Sequence, residues 1–426
     1  MGAVLELAER AWRGELTGTQ VHPGNALVAF EELAPRLGFL SAFSNVAALA
    51  SADGVVLLDT SSLFHAQRLF EELRRWTPSR IHTAVYTHGH VDHVFGLAAF
   101  EQEAEQRGWP RVRVIAHERC PARFERYRLT QGWNAIINQR QFGFPQPVFP
   151  VRFREPDETL RDALSLEVGD LAVELRHDRG ETDDHVWAWI PSLRALYTGD
   201  LFIWAAPNCG NPQKVQRYPR EWAAALRKMA ALGAELLLPG HGPPILGAAR
   251  VAQALGESAE LLESLVSQTL ALMNQGACLD DVLHAVVLPE RLLARPYLRP
   301  TYDDPRFIVR NLWRLYGGWW DGDPAHLLPA PAADLARVLA DLAGGAPALA
   351  AAAERQLAAG RVDLACHLIE LAAQAAPADE GVHGLRASVY TERRQRETSL
   401  MAKGVYGAAA RESKAKSRGG SGAGGA

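Results

Sequence analysis

Residues 88–93 hold three imidazoles and a carboxylate in six positions, in the order His88-Gly89-His90-Val91-Asp92-His93. The preceding residues 80–86 mix β-branched and small side chains, which predicts a short buried strand. Gly89 permits a sharp turn, so the cluster is expected in a tight loop at the end of that strand. A lone histidine is usually an ordinary surface or core residue, but imidazole and carboxylate together suit zinc and similar cations. The loop therefore predicts a metal site, and a two-metal hydrolase site is the leading hypothesis.

Length and composition set limits on the architecture and the partners. A chain of 426 residues exceeds what one hydrophobic core usually organises, so two domains are expected. Apolar residues make up 48% and charged residues 22%, an ordinary balance for a globular protein. The net charge is −4, and no basic block lies inside the region that is expected to fold. A nucleic-acid partner is therefore not expected, because phosphates require a concentrated positive face.

Three features of the chain bear on its location. No run approaches the ~18 consecutive apolar residues that span a bilayer, so no transmembrane segment is expected. Residues 1–10 lack the order of charge, apolar run and small residues that marks a signal peptide. The cysteines are far apart and unpatterned, which predicts free thiols; they are Cys120, Cys209, Cys278 and Cys366. The cytoplasm is the expected location.

Strand and helix signals alternate over the first 250 residues and predict an α/β fold. Strands are expected at residues 43–49, 54–59, 80–86, 112–117, 172–177, 186–190, 194–200 and 235–241. The pair Asp53-Gly54 predicts a hairpin turn between the first two. Residues 59–62 are expected to cap a helix that ends near Trp76, with Leu63, Phe70 and Leu73 on one side. Acids and histidines recur at strand ends, which indicates that one sheet edge supplies one site.

The strand signal fades after about residue 248 and Ala/Leu/Glu-rich helix follows. We therefore predict a catalytic domain over residues 1–250, an all-helical domain over 251–405, and a flexible tail over 406–426. Two helical runs within residues 352–372 are separated by Gly360 and resemble one tetratricopeptide-like helix pair. One such pair cannot bury its apolar face alone, so a neighbouring element or another subunit should cover it.

The HxHxDH pattern resembles the metallo-β-lactamase superfamily. The resemblance implies an αββα sandwich that binds two zinc ions, with His88 and His90 on one ion and Asp92 and His93 on the other. It further implies that Asp200, after Thr198-Gly199, bridges the two ions, and that His241, after Pro239-Gly240, is the last ligand.

One more ligand is expected from the loop that in this superfamily usually reads Gly-His-Thr. The matching loop here is Gly180-Glu181-Thr182, which puts Glu181 in place of the histidine. A carboxylate is a competent zinc ligand, so Glu181 is the favoured candidate. The alternative is that Glu181 is a solvated acid and His185 binds instead. His177 is a weaker third candidate.

A glutamate ligand is typical of the alkyl sulfatase branch of the superfamily, and other passages resemble that branch. Residues 298–302 and 316–327 are similar to the region before its helical dimerisation domain, and residues 132–140 are similar to a segment at its active-site entrance. The resemblance implies a homodimer and a substrate contact by Asn208. Two departures stand out: the bridging acid of that branch is typically Glu, and its sulfate-binding Arg is out of register here.

The implied reaction is hydrolysis of an alkyl sulfate ester. Two zinc ions lower the pKa of a shared water to about neutrality, and the resulting hydroxide would be oriented by the catalytic residues Asp92 and Asp200. Arg140, Lys214 or Arg217 would assist the anionic leaving group. Apolar side chains between residues 133 and 144 would form a channel for an alkyl chain, the alternative being plain core; they are Trp133, Ile136, Ile137, Phe142 and Phe144.

Two other functions stay open at this point. The same site could hydrolyse a carboxylic ester, lactone or thioester, which Asp200 and the out-of-register arginine favour. The chain could also be a dimeric scaffold with a vestigial metal site, although structural zinc sites are usually closed sets of Cys and His. In the two enzymatic cases the partner is a small-molecule ester.

Overall fold

The structure is a computed structural model that describes residues 2–16 and 27–418. The chain divides into two compact units. The first unit comprises Met1–Gln131 and Pro150–Trp319, and the second comprises Gly132–Phe149 and Trp320–Ala426. Residues 419–426, which end the predicted tail, lie outside the described residues.

Within the described residues, seven strands form the first sheet of the first unit, and their spatial order follows the chain order. They are β1 (Ala29–Ala34), β2 (Leu37–Ser41), β3 (Val46–Ser51), β4 (Gly54–Leu58), β5 (Ile81–Val85), β6 (Arg113–His117) and β7 (Glu158–Leu160). Strands β3 and β4 pair antiparallel across the predicted hairpin turn. Strands β4, β5 and β6 pair parallel, so their carboxyl ends lie at the same sheet edge.

The second sheet contains six strands from the described part of the chain, in the order β13-β12-β11-β10-β9-β8. They are β8 (Ala163–Val168), β9 (Leu171–His177), β10 (Val186–Ile190), β11 (Ala195–Ile203), β12 (Leu236–His241) and β13 (Ile245–Leu246). Strands β11 and β12 are neighbours and run parallel, with Asp200 in the second half of β11 and His241 as the last residue of β12.

Helices complete both units. They are α1 (Ala3–Trp12), α2 (Ala66–Trp76), α3 (Ala98–Arg107), α4 (Cys120–Leu129), α5 (Gln131–Phe142), α6 (Pro219–Ala230), α7 (Ala248–Asn274), α8 (Leu279–Ala285), α9 (Glu290–Leu293), α10 (Pro305–Gly317), α11 (Ala332–Ala343), α12 (Ala346–Ala358), α13 (Val362–Ala375), α14 (Glu380–Arg396) and α15 (Leu400–Lys416). No single helix in the described ranges is long and apolar enough to cross a membrane. The pair α11 and α12, bent by 83°, passes that test only jointly.

Three apolar layers hold the first unit together. One lies between the sheets and joins Val56 and Val85 of the first to Tyr197 and Leu238 of the second. The outer face of the first sheet packs on α2, α3 and α4. The outer face of the second sheet packs on α6, α7 and α10. The predicted αββα sandwich is confirmed, because burial of both faces of each sheet requires helices on the outside.

The second unit is all-helical, as predicted. Side chains of α11 to α14 form its apolar core, and the predicted helix pair corresponds to α12 and α13. The first unit continues through α7 to α10, so the boundary at residue 250 stays a prediction.

Two local predictions are wrong. Helix α15 runs to Lys416 with Met401 and Ser413 buried, so the flexible tail does not begin at residue 406. Helix α2 begins at Ala66 rather than beside residues 59–62, and Leu63 is exposed outside the helix. Asp59 instead stands at the end of β4 with a φ of 61° and faces the interior.

Candidate metal centre

Four side chains form a first group of candidate ligands: His88, His90, Glu181 and Asp200. Their ligand atoms all lie within 4.8 Å of one another. His88 Nε2 is 2.7 Å from His90 Nδ1, and Glu181 Oε2 is 3.7 Å from each of these nitrogens. All but His90 are buried. The loops after β5 and β9 and strand β11 therefore supply one compact set of donors.

Asp92, His93 and His241 form a second group. Asp92 Oδ2 is 3.5 Å from the Nε2 atoms of both His93 and His241. Asp200 connects this group to the first: its Oδ1 is 3.4 Å from His93 Nε2, and its Oδ2 is 3.2 Å from His241 Nε2 and 3.9 Å from His88 Nε2. The structure thus brings all seven predicted ligands together, with Asp200 between the groups.

The unsatisfied atoms of this cluster fit bound cations. Among the described residues, His93 Nε2, Glu181 Oε2 and Asp200 Oδ1 are buried without a hydrogen-bond partner. A buried polar atom left unpaired costs about 1–3 kcal/mol, so three in one cluster call for a further partner. Imidazole nitrogens and carboxylate oxygens are the donors that zinc accepts. The residues present therefore fit a pair of divalent cations.

Charge in the cluster points the same way. Burial disfavours a charged His93, yet Asp200, Asp59 and Asp92 together raise its pKa well above the usual range. Burial also raises the pKa of Glu181 to about 8, although Arg217 opposes this. Both shifts describe a carboxylate-rich interior that gains from positive charge.

Asp59 orients His93 of the second group and, through the Thr87 hydroxyl, also reaches His88 of the first. Its carboxylate accepts hydrogen bonds from His93 Nδ1 at 2.8 Å, from the Thr87 backbone N–H at 2.7 Å and from the Tyr197 hydroxyl at 3.0 Å. His241 Nδ1 likewise contacts the carbonyl oxygen of Phe43. With Nδ1 engaged, each imidazole directs Nε2 into the site. The sequence analysis missed Asp59, although an acid at the end of a strand beside β5 was a usable signal.

The loop at residues 180–185 presents Glu181, and not His185, to the first group. His185 Nε2 accepts the backbone N–H of Asp200 at 3.1 Å, and its ring stacks on His88. Burial lowers the pKa of His185 to about 3, which keeps it a neutral acceptor. His177 stacks on His117 and donates through Nδ1 to the His185 carbonyl, outside both groups.

A second interaction missed by the sequence analysis fixes the loop between the first two ligands. Asp184 Oδ2 accepts the backbone N–H of Gly89 at 3.0 Å, and Asp184 Oδ1 accepts from Arg123 Nε at 2.8 Å. Both side chains are buried. They are 61 residues apart in the sequence, and no motif links them.

Two predicted substrate residues lie against Glu181 instead. Asn208 Nδ2 donates to Glu181 Oε1 at 2.6 Å, and Arg217 Nη1 contacts the same oxygen and the Asn208 carbonyl. Lys214 is half-buried and forms no ion pair with any described residue. Burial and nearby Arg217 lower its pKa to about 8, while Asp92 and Glu181 oppose this shift. Lys214 therefore lies in the field of both ligand groups.

The remaining substrate candidates belong to the second unit. Arg140 and Trp133 lie on α5, where Trp133 and Ile136 are exposed and Ile137 is buried. The alkyl channel, and the roles of Arg140 and Trp133 in binding, stay predictions.

Comparison with known proteins identifies two families along the chain. Residues 42–241 match the model of the metallo-beta-lactamase superfamily, and residues 278–416 match that of alkyl sulfatase dimerisation. A linear primary-alkylsulfatase from Pseudomonas sp. is 29% identical over 318 residues, which cover 68% of this chain and 59% of that protein. The alkyl/aryl-sulfatase BDS1 of Saccharomyces cerevisiae is 24% identical over 322 residues, covering 69% and 49%. This chain therefore spans between about half and three-fifths of the length of these relatives.

The fold has a solved counterpart. The stereoselective inverting sec-alkylsulfatase Pisa1 from Pseudomonas sp. superposes with a TM-score of 0.82 at 21% identity. The match covers 91% of this chain and 66% of that one. At this identity the likeness establishes the shared architecture.

Proposed function

This chain belongs to the metallo-β-lactamase superfamily and carries an alkyl sulfatase dimerisation domain, and from that premise we propose that it is a binuclear zinc-dependent hydrolase of alkyl sulfate esters. The observation that carries the proposal is the position of Asp200 between the two ligand groups, with donor atoms of both within 3.9 Å of its carboxylate. A carboxylate in that position can contribute one oxygen to each of two neighbouring cations.

The ligand assignment follows from the two groups. His88, His90 and Glu181 would hold one cation, Asp92, His93 and His241 the other, and Asp200 both. Two zinc ions there would supply Lewis acidity and lower the pKa of water to about neutrality. Asp92 is only half-buried, so its carboxylate can accept a proton from water on the open side of the site.

Lys214 is the cation that we assign to the anionic group of the substrate. Its ammonium has no carboxylate partner among the described residues and lies in the field of Asp92 and Glu181. The two sulfatase relatives support a sulfate ester as the substrate class.

A second substrate class has one observation in its favour. Arg217 and Asn208, which the resemblance offered for sulfate binding, are engaged by Glu181. A site with fewer cations for the substrate suits a carboxylic ester, lactone or thioester, whose reacting group carries less charge than a sulfate.

A substrate panel on zinc-loaded protein tests these proposals. We expect about two zinc ions per chain and release of inorganic sulfate from dodecyl sulfate, with His241→Ala as the inactive control. Rapid lactone opening without sulfate release would replace the first substrate class by the second. Fewer than one zinc ion per chain, with no turnover of any ester, would instead favour the scaffold with a vestigial site.

We also propose that the helical unit forms a homodimer in the cytoplasm. On α11, Leu335, Val338 and Leu342 are exposed at a spacing that aligns them on one helix face. The four cysteines are unpaired, which suits a reducing compartment. Light scattering should give the mass of a dimer, and Leu342→Glu should shift it toward the monomer; fractionation of the native host's cells tests the location.

A further inference from the structure

The glutamate in the first group creates a charge problem that a histidine would not create. Glu181 adds a third carboxylate to Asp92 and Asp200, and it is 3% exposed. A buried carboxylate without a compensating charge is costly. We propose that Arg217 is a positioning residue that pairs with Glu181, so that the two together act as a neutral substitute for an imidazole ligand. This inference rests on the proposed function, because it concerns the same metal site.

The contacts divide the two carboxylate oxygens of Glu181 by task. Oε1 receives Arg217 Nη1 and, at 2.6 Å, Asn208 Nδ2. Oε2 has no hydrogen-bond partner among the described residues and lies 3.7 Å from the nitrogens of His88 and His90. Two hydrogen-bond donors therefore hold Oε1. Oε2 is left as the one oxygen of Glu181 that is available to bind a metal ion.

Arg217 is itself fixed by the structure. Its backbone N–H donates to Asn311 Oδ1 at 3.3 Å, and its carbonyl accepts from Asn311 Nδ2 at 3.0 Å. The next residue, Tyr218, donates its backbone N–H to the carbonyl of Gly180 at 3.0 Å. Arg217 is 3% exposed. The loop that carries the arginine and the loop that carries the glutamate are thus tied together independently of the ion pair.

This arrangement predicts an effect whose sign depends on the ligand. Beside Glu181, loss of the arginine leaves a buried carboxylate uncompensated and free to turn. Beside a histidine at position 181, the same arginine loses its ion-pair partner, keeps only the weaker field of Asp303, and repels the metal ion. Arg217 should therefore help metal binding in the first case and oppose it in the second.

The test is a double-variant cycle read by zinc affinity, measured by competition with a chromophoric chelator. Arg217→Met should lower the affinity for one of the two zinc ions by about 10- to 100-fold, the usual cost of losing a residue that hydrogen-bonds to a metal ligand. Glu181→His should also lower the affinity for that ion. Adding Arg217→Met to Glu181→His should raise this affinity again by at least about tenfold. Arg217→Lys keeps the positive charge, so it should lower the zinc affinity less than Arg217→Met does.

Controls separate this inference from folding and from the proposed function. Arg119→Met removes an exposed arginine that pairs with Asp183, a residue of the loop that carries Glu181. This variant should leave zinc affinity unchanged. Thermal melting of the metal-free variants identifies any that fail to fold, in which case Arg217→Lys decides. If Arg217→Met lowers affinity equally in both backgrounds, or in neither, the neutral-pair inference is wrong while the hydrolase proposal stands. If the unaltered protein binds no zinc, the proposed function fails first.

Discussion

The two ligand groups of the sandwich are supported from outside by different kinds of partner, arginines in the first group and acceptor oxygens in the second. In the first group, Arg217 holds Glu181, and Arg123 holds Asp184 under the loop of His88 and His90. In the second group, the carboxylate of Asp59 holds His93, and the carbonyl of Phe43 holds His241. The difference follows from the ligands, because a carboxylate needs a donor behind it whereas a neutral imidazole needs an acceptor.

Removal of the residue common to both groups should have the largest effect. Asp200→Ala removes one ligand atom from each cation, so the affinity for both zinc ions should fall together. Because several kcal/mol of charge stabilisation are lost, kcat/KM should fall roughly 10³-fold or more. Zinc analysis after gel filtration and a hydrolysis assay measure this. Asp170→Ala, an exposed carboxylate paired with Arg36, is the control and should change neither. Loss of only one ion would show that Asp200 serves one group.

The next prediction separates the groups. Asp59→Asn removes the carboxylate behind His93, so affinity for the zinc ion of the second group should fall by about 10- to 100-fold. Affinity for the other ion should fall less, because Asp59 reaches His88 only through the Thr87 hydroxyl. A two-phase chelator titration resolves the two ions. Tyr197→Phe removes one donor to Asp59 but keeps the carboxylate, and its effect should be smaller. Equal weakening of both ions would remove the distinction between the groups.

Arg123→Met addresses the first group through stability. It leaves Asp184 buried without its cation, which should lower the free energy of unfolding by about 3 kcal/mol. Denaturant titration of the metal-free protein measures the loss. Asp184→Asn, which keeps the shape but removes the charge, should recover part of it when added to Arg123→Met. Arg119→Met breaks an exposed pair and should cost under about 1 kcal/mol.

The smallest effect is expected for a residue that supports neither group. Lys214→Met removes the cation assigned to the substrate, so KM for an anionic ester should rise about fivefold with zinc affinity unchanged, as for a loss near 1 kcal/mol. An uncharged lactone should show no change in KM. A fall in zinc affinity would instead make Lys214 part of the metal support.

Sequence reasoning reached the donors of this site better than their supports. The HxHxDH run is contiguous, and the sequence predicts Asp200 and His241 near the ends of strands, so a strand-edge argument finds them, although β11 continues past Asp200 to Ile203. Glu181 needed the family register. Asp59 and Arg123 were missed because their role depends on which strands and helices are neighbours in space. Asn208 and Arg217 were assigned to the substrate because a sequence does not show which way a side chain points.

The same limit applies to the fold. The strands and the αββα layering follow from alternation and strand length, and these predictions are confirmed. The start of α2 was misplaced because Asp59 resembles a helix cap by type while the tertiary structure uses it as a buried acceptor. The predicted end of the helical unit is wrong because an Ala- and Gly-rich run is typical of linkers, whereas here it forms α15 and buries Ala402 and Gly407.

The assignment of residues 132–149 to the helical unit has a practical consequence for protein engineering. That unit is discontinuous in the chain, and within it the backbone of Gln141 approaches Gly404 so closely that a methyl group there would lie 2.5 Å from a carbonyl oxygen. A fragment that begins at residue 320 would lack α5. The surface of α15 that packs against α5 would then be exposed. Exchange of this unit among relatives therefore requires that both pieces are transferred. Gly404 and residues 132–149 should come from the same protein.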